Sequence, residues 1–466
     1  MIKEKSNPII KKMMIALASA FIVGIICVFL KENLNKSGNG SIWNIINAIF
    51  FVDVTEKGAA GIGILYIIGK IFLNSLQLAI IPLVFTSLTL AMSSITDLRK
   101  LGRIAYKTIL TFVLMYVAAT LLAGIVGMTS VNLGIFKYMP DIAGGDTSNI
   151  QLVETPNPMG TILAFFPENV TAAFANNQAI FSVVFISVIL GISIGFLEDK
   201  AKNIKKVVED LNNIITLFLD VLMNRVAPYA IFSLIVRAFA LYGFSQIKPV
   251  ISYILITIMT LLIFLLIGYP IIIKLFAKLN SKKFIKEMIQ PVLIAFSAAA
   301  SSPALPLNIK INVEKFGVSE EIANFVLPLG MTINMNGTAI MHVIGTIFIG
   351  TISGYQVTVP QIMLMALLSM LAAAGTPAIP AAGSVLLFTV VNGVGYVNET
   401  ALLIYSLILA INKPVEMFLT PLNIVGDATT TILVAKSENE LDKDIYDGKK
   451  VYKRDLEIEE IVEGRF

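Results

Sequence analysis

The sequence predicts an all-α polytopic membrane protein with eight transmembrane helices and two re-entrant helical hairpins arranged as inverted repeats. Three observations predict this fold: the composition, a series of long apolar runs, and an internal repeat. Of the 466 residues 56% are hydrophobic and 14% charged, against about 25% charged residues in a soluble domain. The single cysteine, Cys27, excludes an internal disulfide framework, and the single histidine, His342, excludes a histidine-cluster metal site.

Six apolar runs in the first part of the chain have the roughly 20 residues that cross about 30 Å of hydrocarbon. They cover residues 9–30, 61–95, 104–128, 179–197, 214–242 and 251–276. Three of them exceed one bilayer thickness, which indicates tilted or broken helices. The first run is interpreted as the first span and not as a cleaved signal peptide, because it leads into further spans without a clear cleavage signal.

Basic residues predict the topology, because Lys and Arg are retained on the cytoplasmic side. If each run crosses once, four basic clusters fall on one side, at residues 3–12, 99–107, 200–206 and 274–286. The segment 129–178, with one lysine and four acidic residues, falls on the other. The final residues, 437–466, carry ten acidic and six basic side chains and are expected to form a cytosolic tail with a short helix at 455–462.

Four later apolar blocks contain the polar and helix-breaking residues. The first three, 284–311, 325–350 and 362–396, are interrupted by Gly, Pro, Ser and Thr near their middles. A nine-residue repeat lies in two of them: residues 298–306 read AAASSPALP and residues 372–380 read AAAGTPAIP, with six identities. Broken backbone survives at membrane depth only inside protein or beside water, so the repeat predicts two re-entrant hairpins around a midplane site. Two Pro-kinked spanning helices are the alternative.

Polar residues in the seventh span and in the last block, 401–435, predict a binding site. The seventh span is interrupted by Thr332, Asn334, Asn336 and Thr338, and the last block carries Glu416, Thr420, Asn423 and Asp427 at helical spacing. An unpaired carboxylate in hydrocarbon costs at least about 2.5 to 3.5 kcal/mol. Carboxylate, amide and carbonyl oxygens suit a hard cation, whereas interhelical hydrogen bonding is the alternative role.

These motifs carry a family resemblance. Residues 327–338 (LPLGMTINMNGT), the two hairpin tips, and residues 423–430 (NIVGDATT) resemble the glutamate transporter homologue family of dicarboxylate and amino-acid:cation symporters. The resemblance extends from the LGR at residue 101 to the VAK at residue 434. It implies a homotrimer, a scaffold holding a mobile transport domain, and elevator-type alternating access with residues 372–384 as the outer gate.

The resemblance also implies a division of the chain. Residues 1–102 would form scaffold spans 1 and 2, 103–130 span 3 of the transport domain, and 131–245 an extracellular loop with scaffold spans 4 and 5. Residues 246–436 would complete the transport domain, with hairpin 1 at about 283–313 and hairpin 2 at about 357–394. Residues 437–466 would be the acidic cytosolic tail.

The resemblance assigns site residues position by position. One sodium site would use Gly330, Asn334, Asn423 and Asp427, and another Thr332, Ala373 and Thr376. Ser301 and Asn423 would hold the substrate α-carboxylate, and Glu416 stands where the family has an aspartate that binds the α-ammonium group. The full substrate-binding set is Ser301, Ser302, Thr338, Ala378, Glu416, Leu419, Thr420 and Asn423.

Departures from the family pattern point to the substrate and the coupling ions. Leu419 and Ala299 occupy the positions where acidic-substrate members have an arginine, so a second substrate carboxylate would be buried unpaired. A neutral amino acid is therefore expected, and the PVEM sequence at 414–417 resembles the bacterial L-cystine symporter branch. A third cation site looks degraded, because Asn336 replaces an aspartate and its partners align with Phe112, Met115 and Tyr116.

The proton is a further candidate coupling ion. His342 lies where eukaryotic relatives have a proton-carrying glutamate, and imidazole titrates near neutrality. A neutral, hydrogen-bonded histidine is the alternative.

The expected function is secondary active import of a neutral amino acid, with L-cystine as the expected substrate, driven by sodium with or without a proton. The expected location is the cell membrane, multi-pass, with both termini cytoplasmic and with lipid, a small amino acid and a homotrimer as partners; no nucleic acid is expected. The alternatives are a symporter for another amino acid or a dicarboxylate, or an ion- or anion-conducting channel. A membrane enzyme is disfavoured, since no nucleophile, base and orienting group converge by spacing.

Overall fold

The computed structural model describes residues 8–55, 60–96, 102–137, 166–176, 179–243, 247–374, 376 and 382–452. These residues form helices and connecting turns, and the one β contact among them is an isolated antiparallel bridge between Val318 and Leu441. The predicted all-α class is confirmed.

The first half of the described chain contains eight α-helices. They are α1 (Pro8–Lys36), α2 (Gly40–Phe50), α3 (Ile64–Thr96), α4 (Arg103–Asn132), α5 (Val170–Ala175), α6 (Ile180–Leu197), α7 (Lys202–Val221) and α8 (Ala227–Tyr242). A π-helical turn, Leu222–Val226, joins α7 to α8, so the helix around the predicted span 214–242 begins earlier than the apolar run. The short helix α2 was not expected from the sequence.

The second half contains eleven α-helices. They are α9 (Ile247–Ile263), α10 (Tyr269–Ile272), α11 (Ser281–Ala298), α12 (Leu305–Glu314), α13 (Glu320–Ile333), α14 (Asn336–Ile352), α15 (Val359–Ala374), α16 (Ala382–Gly393), α17 (Glu399–Ile411), α18 (Lys413–Glu438) and α19 (Lys443–Asp447). Two π-helical turns, Phe264–Gly268 and Ile273–Ala277, flank α10.

Six helical stretches in the described part of the chain are long and apolar enough to cross a membrane. They are Ala18–Lys36, Arg103–Asn132, Ser182–Leu219, Pro249–Ala277, Glu320–Ile352 and Lys413–Glu438. In the most apolar part of the last two stretches, 94% and 83% of the residues are buried, against at most 39% in the others. The helices α13, α14 and α18 therefore form the centre of the molecule, and the others surround them with exposed apolar side chains. The count of eight spans stays a prediction.

The helices pack in two groups. In the first group α3 lies along α6 and α8, and α1 lies along α8. In the second group α14 packs against α4, α15 and α18, and α18 also packs against α11 and α13. The division into scaffold and transport domains and their relative motion stay predictions.

Both repeat-bearing blocks form a helix, a break and a second helix. In the first block α11 is followed by Ala299, whose φ of +47° is left-handed, and a 3-10 turn, Ser302–Ala304, leads into α12. The two helices of each block, α11 with α12 and α15 with α16, pack against each other. A single kinked helix would bring its halves together only at the kink, so this packing favours the hairpin interpretation. Most of the second tip, residues 375 and 377–381, lies outside the described residues.

The segment after α18, predicted to be a cytosolic tail, is attached to the helices at several points. Glu438 at the end of α18 accepts hydrogen bonds from Arg103 and pairs with Lys107, both on α4. Tyr446 on α19 is fully buried and donates a hydrogen bond to the carbonyl of Asn280. Residues 437–452 are therefore attached to the helical core through Glu438, Ile445 and Tyr446, while most of their other side chains are exposed. The helix expected at 455–462 lies outside the described residues.

Candidate functional site

The seventh span is unwound at its centre. The helix α13 ends at Ile333, α14 begins at Asn336, and the intervening Asn334 and Met335 have non-helical backbone angles. The hydroxyl of Tyr116 on α4 donates to the carbonyl of Ile333 and accepts from the Met335 N–H at 2.8 Å. An external side chain thus satisfies backbone groups that lipid could not. Tyr116 was expected only as part of a degraded cation site.

Asp427 of α18 lies directly beside this break. Its Oδ1 accepts a hydrogen bond of 2.9 Å from Asn334 Nδ2, and its side chain is buried. Gly330 faces the same carboxylate so closely that a Cβ at this position would lie 2.5 Å from Asp427 Oδ1. Three of the four residues predicted for the first sodium site therefore lie together around one carboxylate.

Asn336 extends this oxygen-rich cluster. Its Nδ2 donates to Asn334 Oδ1 at 3.0 Å and to the hydroxyl of Tyr269 at 3.1 Å. Its Oδ1 is buried and has no hydrogen-bond partner among the described residues. A buried amide oxygen without a donor is a free ligand for a cation. Sequence reasoning missed Tyr269, although a tyrosine before a proline in an apolar run was a usable signal.

Asn423 connects α18 to the start of α14. Its Oδ1 accepts the Gly337 N–H at 2.8 Å, which satisfies one of the free donors at that helix N-terminus. Gly337 is in turn pressed against the backbone of Leu419, where a Cβ would lie 2.6 Å from the carbonyl oxygen. Asn423 is thus held at the break, between the positions of Glu416 and Asp427 on the same helix.

Glu416 forms a second polar cluster in the first turn of α18. Its Oε1 accepts a hydrogen bond of 2.5 Å from Ser384, whose Oγ accepts one of 2.7 Å from Asn412 Nδ2. Asn412 Oδ1 accepts a bond of 2.9 Å from the hydroxyl of Tyr253. The other carboxylate oxygen, Oε2, lies 3.7 Å from Lys413 Nζ. None of these four partners was predicted, although the spacing of Lys413 and Glu416 places both on one helix face.

The two clusters are separated along one helix. Asp427 follows Glu416 by eleven positions in α18, which corresponds to about 16 Å at 1.5 Å per residue. Each carboxylate therefore has its own surroundings: amide and hydroxyl groups at the break for Asp427, and hydroxyl, amide and ammonium groups for Glu416.

Other predicted residues lie around these clusters. Thr420 donates to the carbonyl of Glu416 at 2.9 Å, and Thr332 donates to its own helix at the carbonyl of Leu329. Thr338 contacts Gly383 at the start of α16, since a Cβ there would lie 3.0 Å from its methyl group. His342 lies one helical turn further, with Nε2 2.7 Å from the Gly383 carbonyl and Nδ1 buried without a partner among the described residues.

The hairpin tips provide the remaining positions. Ser301 is buried, and its carbonyl accepts the N–H of Ala304. Thr376 donates to the carbonyl of Ala372 at 2.9 Å, and Ala373 packs with Tyr116 and Met335 at the break. The second tip therefore begins next to the unwound span. Ser302 follows Ser301 in the first tip, and Ala378 lies outside the described residues.

The protein family and the individual proteins that this chain resembles are all transporters. The model of the Sodium:dicarboxylate symporter family matches residues 9–437. The chain is 28% identical to the Proton/glutamate-aspartate symporter of Escherichia coli strain K12, over 85% of this chain and 89% of that protein. It is 26% identical to the Proton/sodium-glutamate symport protein of Bacillus caldotenax, over 86% and 93%. It is also 26% identical to the C4-dicarboxylate transport protein of Bacillus subtilis strain 168, over 81% and 88%.

Proposed function

The chain belongs to the sodium:dicarboxylate symporter family, and on this premise we propose that it imports a neutral amino acid, with L-cystine as the expected substrate. It is a cation-coupled symporter and a multi-pass membrane protein. The observation that carries the proposal is Glu416, a buried carboxylate near which Leu419 supplies an apolar side chain instead of a guanidinium. Such a site pairs with an ammonium group and offers no arginine to a second carboxylate.

In this proposal the substrate lies between α18 and the hairpin tips. Its α-ammonium group binds Glu416, and its α-carboxylate binds Asn423 and Ser301. Leu419, together with Thr338, Thr420 and Ser302, lines the pocket for the substrate side chain. The burial of Leu419 and of Ala299 supports a substrate without a second carboxylate, because an unpaired carboxylate beside them would lose its hydration.

Sodium is the proposed co-transported ion. Its first site is the cluster of Asp427, Asn334, Gly330 and Asn423, and its second site lies between Thr332 and the Ala373–Thr376 backbone. The close approach of Gly330 to Asp427 and the free Asn336 Oδ1 support a compact oxygen site at the break. Sodium suits these oxygen ligands, since it is a hard cation.

Elevator-type movement is the proposed mechanism, and a homotrimer in the cell membrane the proposed assembly. The two packing groups support a moving and a static part. The contacts of Glu438 with Arg103, and of Tyr446 with Asn280, bring the beginnings of α4 and α11 and the end of α18 to one end of the molecule. This supports a shared side for the basic clusters at 99–107 and 274–286 and for the C-terminal segment, which we propose to be the cytoplasmic side.

An acidic substrate is the second candidate. The relatives described above are named as glutamate, aspartate and C4-dicarboxylate carriers, and Lys413 supplies a cation beside Glu416. If the ammonium group of Lys413 paired with a substrate carboxylate, it would take the role of the missing arginine.

Uptake into proteoliposomes tests the proposal. Labelled cystine, leucine, aspartate and succinate are offered separately, with sodium and proton gradients imposed one at a time. We expect saturable cystine accumulation driven by the sodium gradient, which Asp427→Asn abolishes. Strong aspartate or succinate uptake would favour the second candidate, and a passive current without accumulation would indicate a channel.

A further inference from the structure

Lys413 is a partly buried cation next to the carboxylate that the proposed function assigns to substrate. Its Nζ lies 3.7 Å from Glu416 Oε2, and its side chain is only 17% exposed. The two residues lie in the first turn of α18, three positions apart, and so project from the same helix face. A lysine in this position is not a solvated surface charge, because most of its side chain is covered by protein.

The opposite oxygen of Glu416 is held by an ordered chain of hydrogen bonds. The Ser384 hydroxyl donates to Oε1, Asn412 donates to Ser384, and Tyr253 donates to Asn412. Since Ser384, Asn412 and Tyr253 are all buried, the carboxylate has a fixed orientation. One oxygen therefore faces a neutral donor and the other faces the ammonium group of Lys413.

A substrate α-ammonium group and the Lys413 ammonium group are chemically alike and need the same oxygen. Two like charges a few ångströms apart in a poorly hydrated site repel each other strongly. Binding of the amine at Oε2 therefore requires Lys413 to move away. The long aliphatic stem of lysine allows its charged end to swing toward water while the backbone stays in place.

We propose that Lys413 is the internal counter-cation of Glu416: it neutralises this carboxylate in the empty carrier, and the substrate amine displaces it. The inference rests on the proposed binding of a substrate ammonium group by Glu416. The empty site then crosses the membrane as a neutral pair, and the loaded site as a Glu416–substrate pair. Without Lys413 the empty site would lose the ammonium group that faces Glu416 Oε2, and the loss of a cationic partner from a carboxylate is penalised by membrane burial.

The test compares two transport modes of Lys413→Met in proteoliposomes. Exchange, with substrate on both sides, uses only the loaded carrier, whereas net uptake also needs the empty carrier to return. We expect exchange within twofold of the wild-type rate, with a lower half-saturating substrate concentration because the competing amine is gone. Net uptake should fall about tenfold, equivalent to ~1.4 kcal/mol on the return step. Lys413→Arg should restore net uptake.

Lys310→Met is the matched control, because Lys310 pairs with Glu314 at the same distance of 3.7 Å but is 62% exposed. It should leave both modes unchanged. An equal loss of exchange and net uptake in Lys413→Met would overturn the inference and make Lys413 a substrate ligand. Unchanged net uptake in this variant would also overturn it.

If the proposed function is wrong, the result is different, because the wild-type protein then neither exchanges nor accumulates any of the offered amino acids. The Lys413–Glu416 pair is then tested by thermal unfolding of Lys413→Met, Glu416→Gln and the double variant. Counter-cation pairing predicts that the double variant loses less than the sum of the single losses. Additive losses would overturn the pairing.

Discussion

Individual residues define the two polar clusters by how closely they approach their carboxylates. Gly330 leaves room for Asp427 Oδ1, and Ser384 holds Glu416 Oε1. A substitution at Gly330 or Ser384 that adds or removes one or two atoms changes the surroundings of the carboxylate and leaves the helix that carries the carboxylate unchanged. The effect of such a substitution on transport can therefore be separated from its effect on folding stability.

Gly330→Ala tests the proposed sodium site. The added methyl group would lie 2.5 Å from Asp427 Oδ1, so the carboxylate must move out of the cluster. We expect the half-saturating sodium concentration for uptake to rise at least about tenfold, the effect of ~1.4 kcal/mol of binding free energy. Gly40→Ala, at the start of α2, is the control. Unchanged sodium dependence in Gly330→Ala would place the ion elsewhere.

His342→Gln tests whether this histidine carries a proton. The ring is fully buried and bonds the Gly383 carbonyl, which requires a hydrogen on Nε2 in the neutral form. This geometry favours the neutral, hydrogen-bonded alternative, and a glutamine amide preserves a donor. We expect sodium-driven uptake with an unchanged dependence on pH. A flattened pH profile in the variant would restore the proton-coupling role.

At the scale of elements, the C-terminal segment 437–452 is joined to the base of the first hairpin. The Val318–Leu441 bridge, the Ser319 N–H bond to the Glu440 carbonyl and the Asp442 N–H bond to the Gly317 carbonyl connect it to the turn between α12 and α13. Gly317 is required there, because its φ is +70° and a Cβ would lie against the Asp442 carbonyl.

Tyr446→Ala should loosen this junction. The Tyr446 ring is fully buried, packs on Phe316 with centroids 5.7 Å apart, and lies beneath the Lys283 ammonium group. Truncating a buried aromatic side chain costs about 3 to 5 kcal/mol. We expect faster hydrogen exchange in 437–452 and at the α12–α13 turn, with α3 and α6 unaffected as the internal reference. Equal protection in the variant would contradict the packing role.

Acid should weaken the same junction. The hydrogen bond from Lys450, 2.8 Å from Asp442 Oδ2, together with backbone N–H groups, lowers the pKa of the Asp442 carboxyl below its usual value. A lowered folded-state pKa means that the stabilisation is present above the unfolded-state pKa and is lost as pH falls through the folded-state value. Protection of 437–452 against hydrogen exchange, corrected for the intrinsic pH dependence of the exchange rate, should therefore fall at acidic pH, and Asp442→Asn should remove this fall.

At the scale of the whole molecule, the peripheral helices expose many apolar side chains, including Leu121, Ile125 and Met259. Apolar surface of this extent must be covered by lipid or by other subunits. The predicted homotrimer can be tested directly, because native mass spectrometry in detergent should detect three 50.6-kDa chains in one particle. A stable monomer that retains sodium-driven uptake would contradict this assembly.

Much of this architecture could be predicted from local sequence. Apolar runs predict membrane spans because each side chain by itself decides the free energy with which its residue leaves water. Helical spacing predicts that Glu416, Thr420, Asn423 and Asp427 lie on one stripe of a helix. The polar interruption of the seventh span and the two helix-break-helix blocks were also expected, whereas the unwinding at Asn334 and Met335 was not. These features depend on neighbours within one or two helical turns, which the sequence places directly.

The sequence by itself determined the helical membrane class, the polar interruption of the seventh span and the two carboxylates of the last span. Only the tertiary structure decided their partners: Ser384 lies 32 positions from Glu416, Tyr253 lies 159 from Asn412, and Tyr116 lies 217 from Ile333. It also decided the attachment of residues 437–452 to the turn between α12 and α13, which the sequence did not predict. Such contacts depend on how separate helices pack, and the periodicity of one helix carries no information about the side chain that meets it.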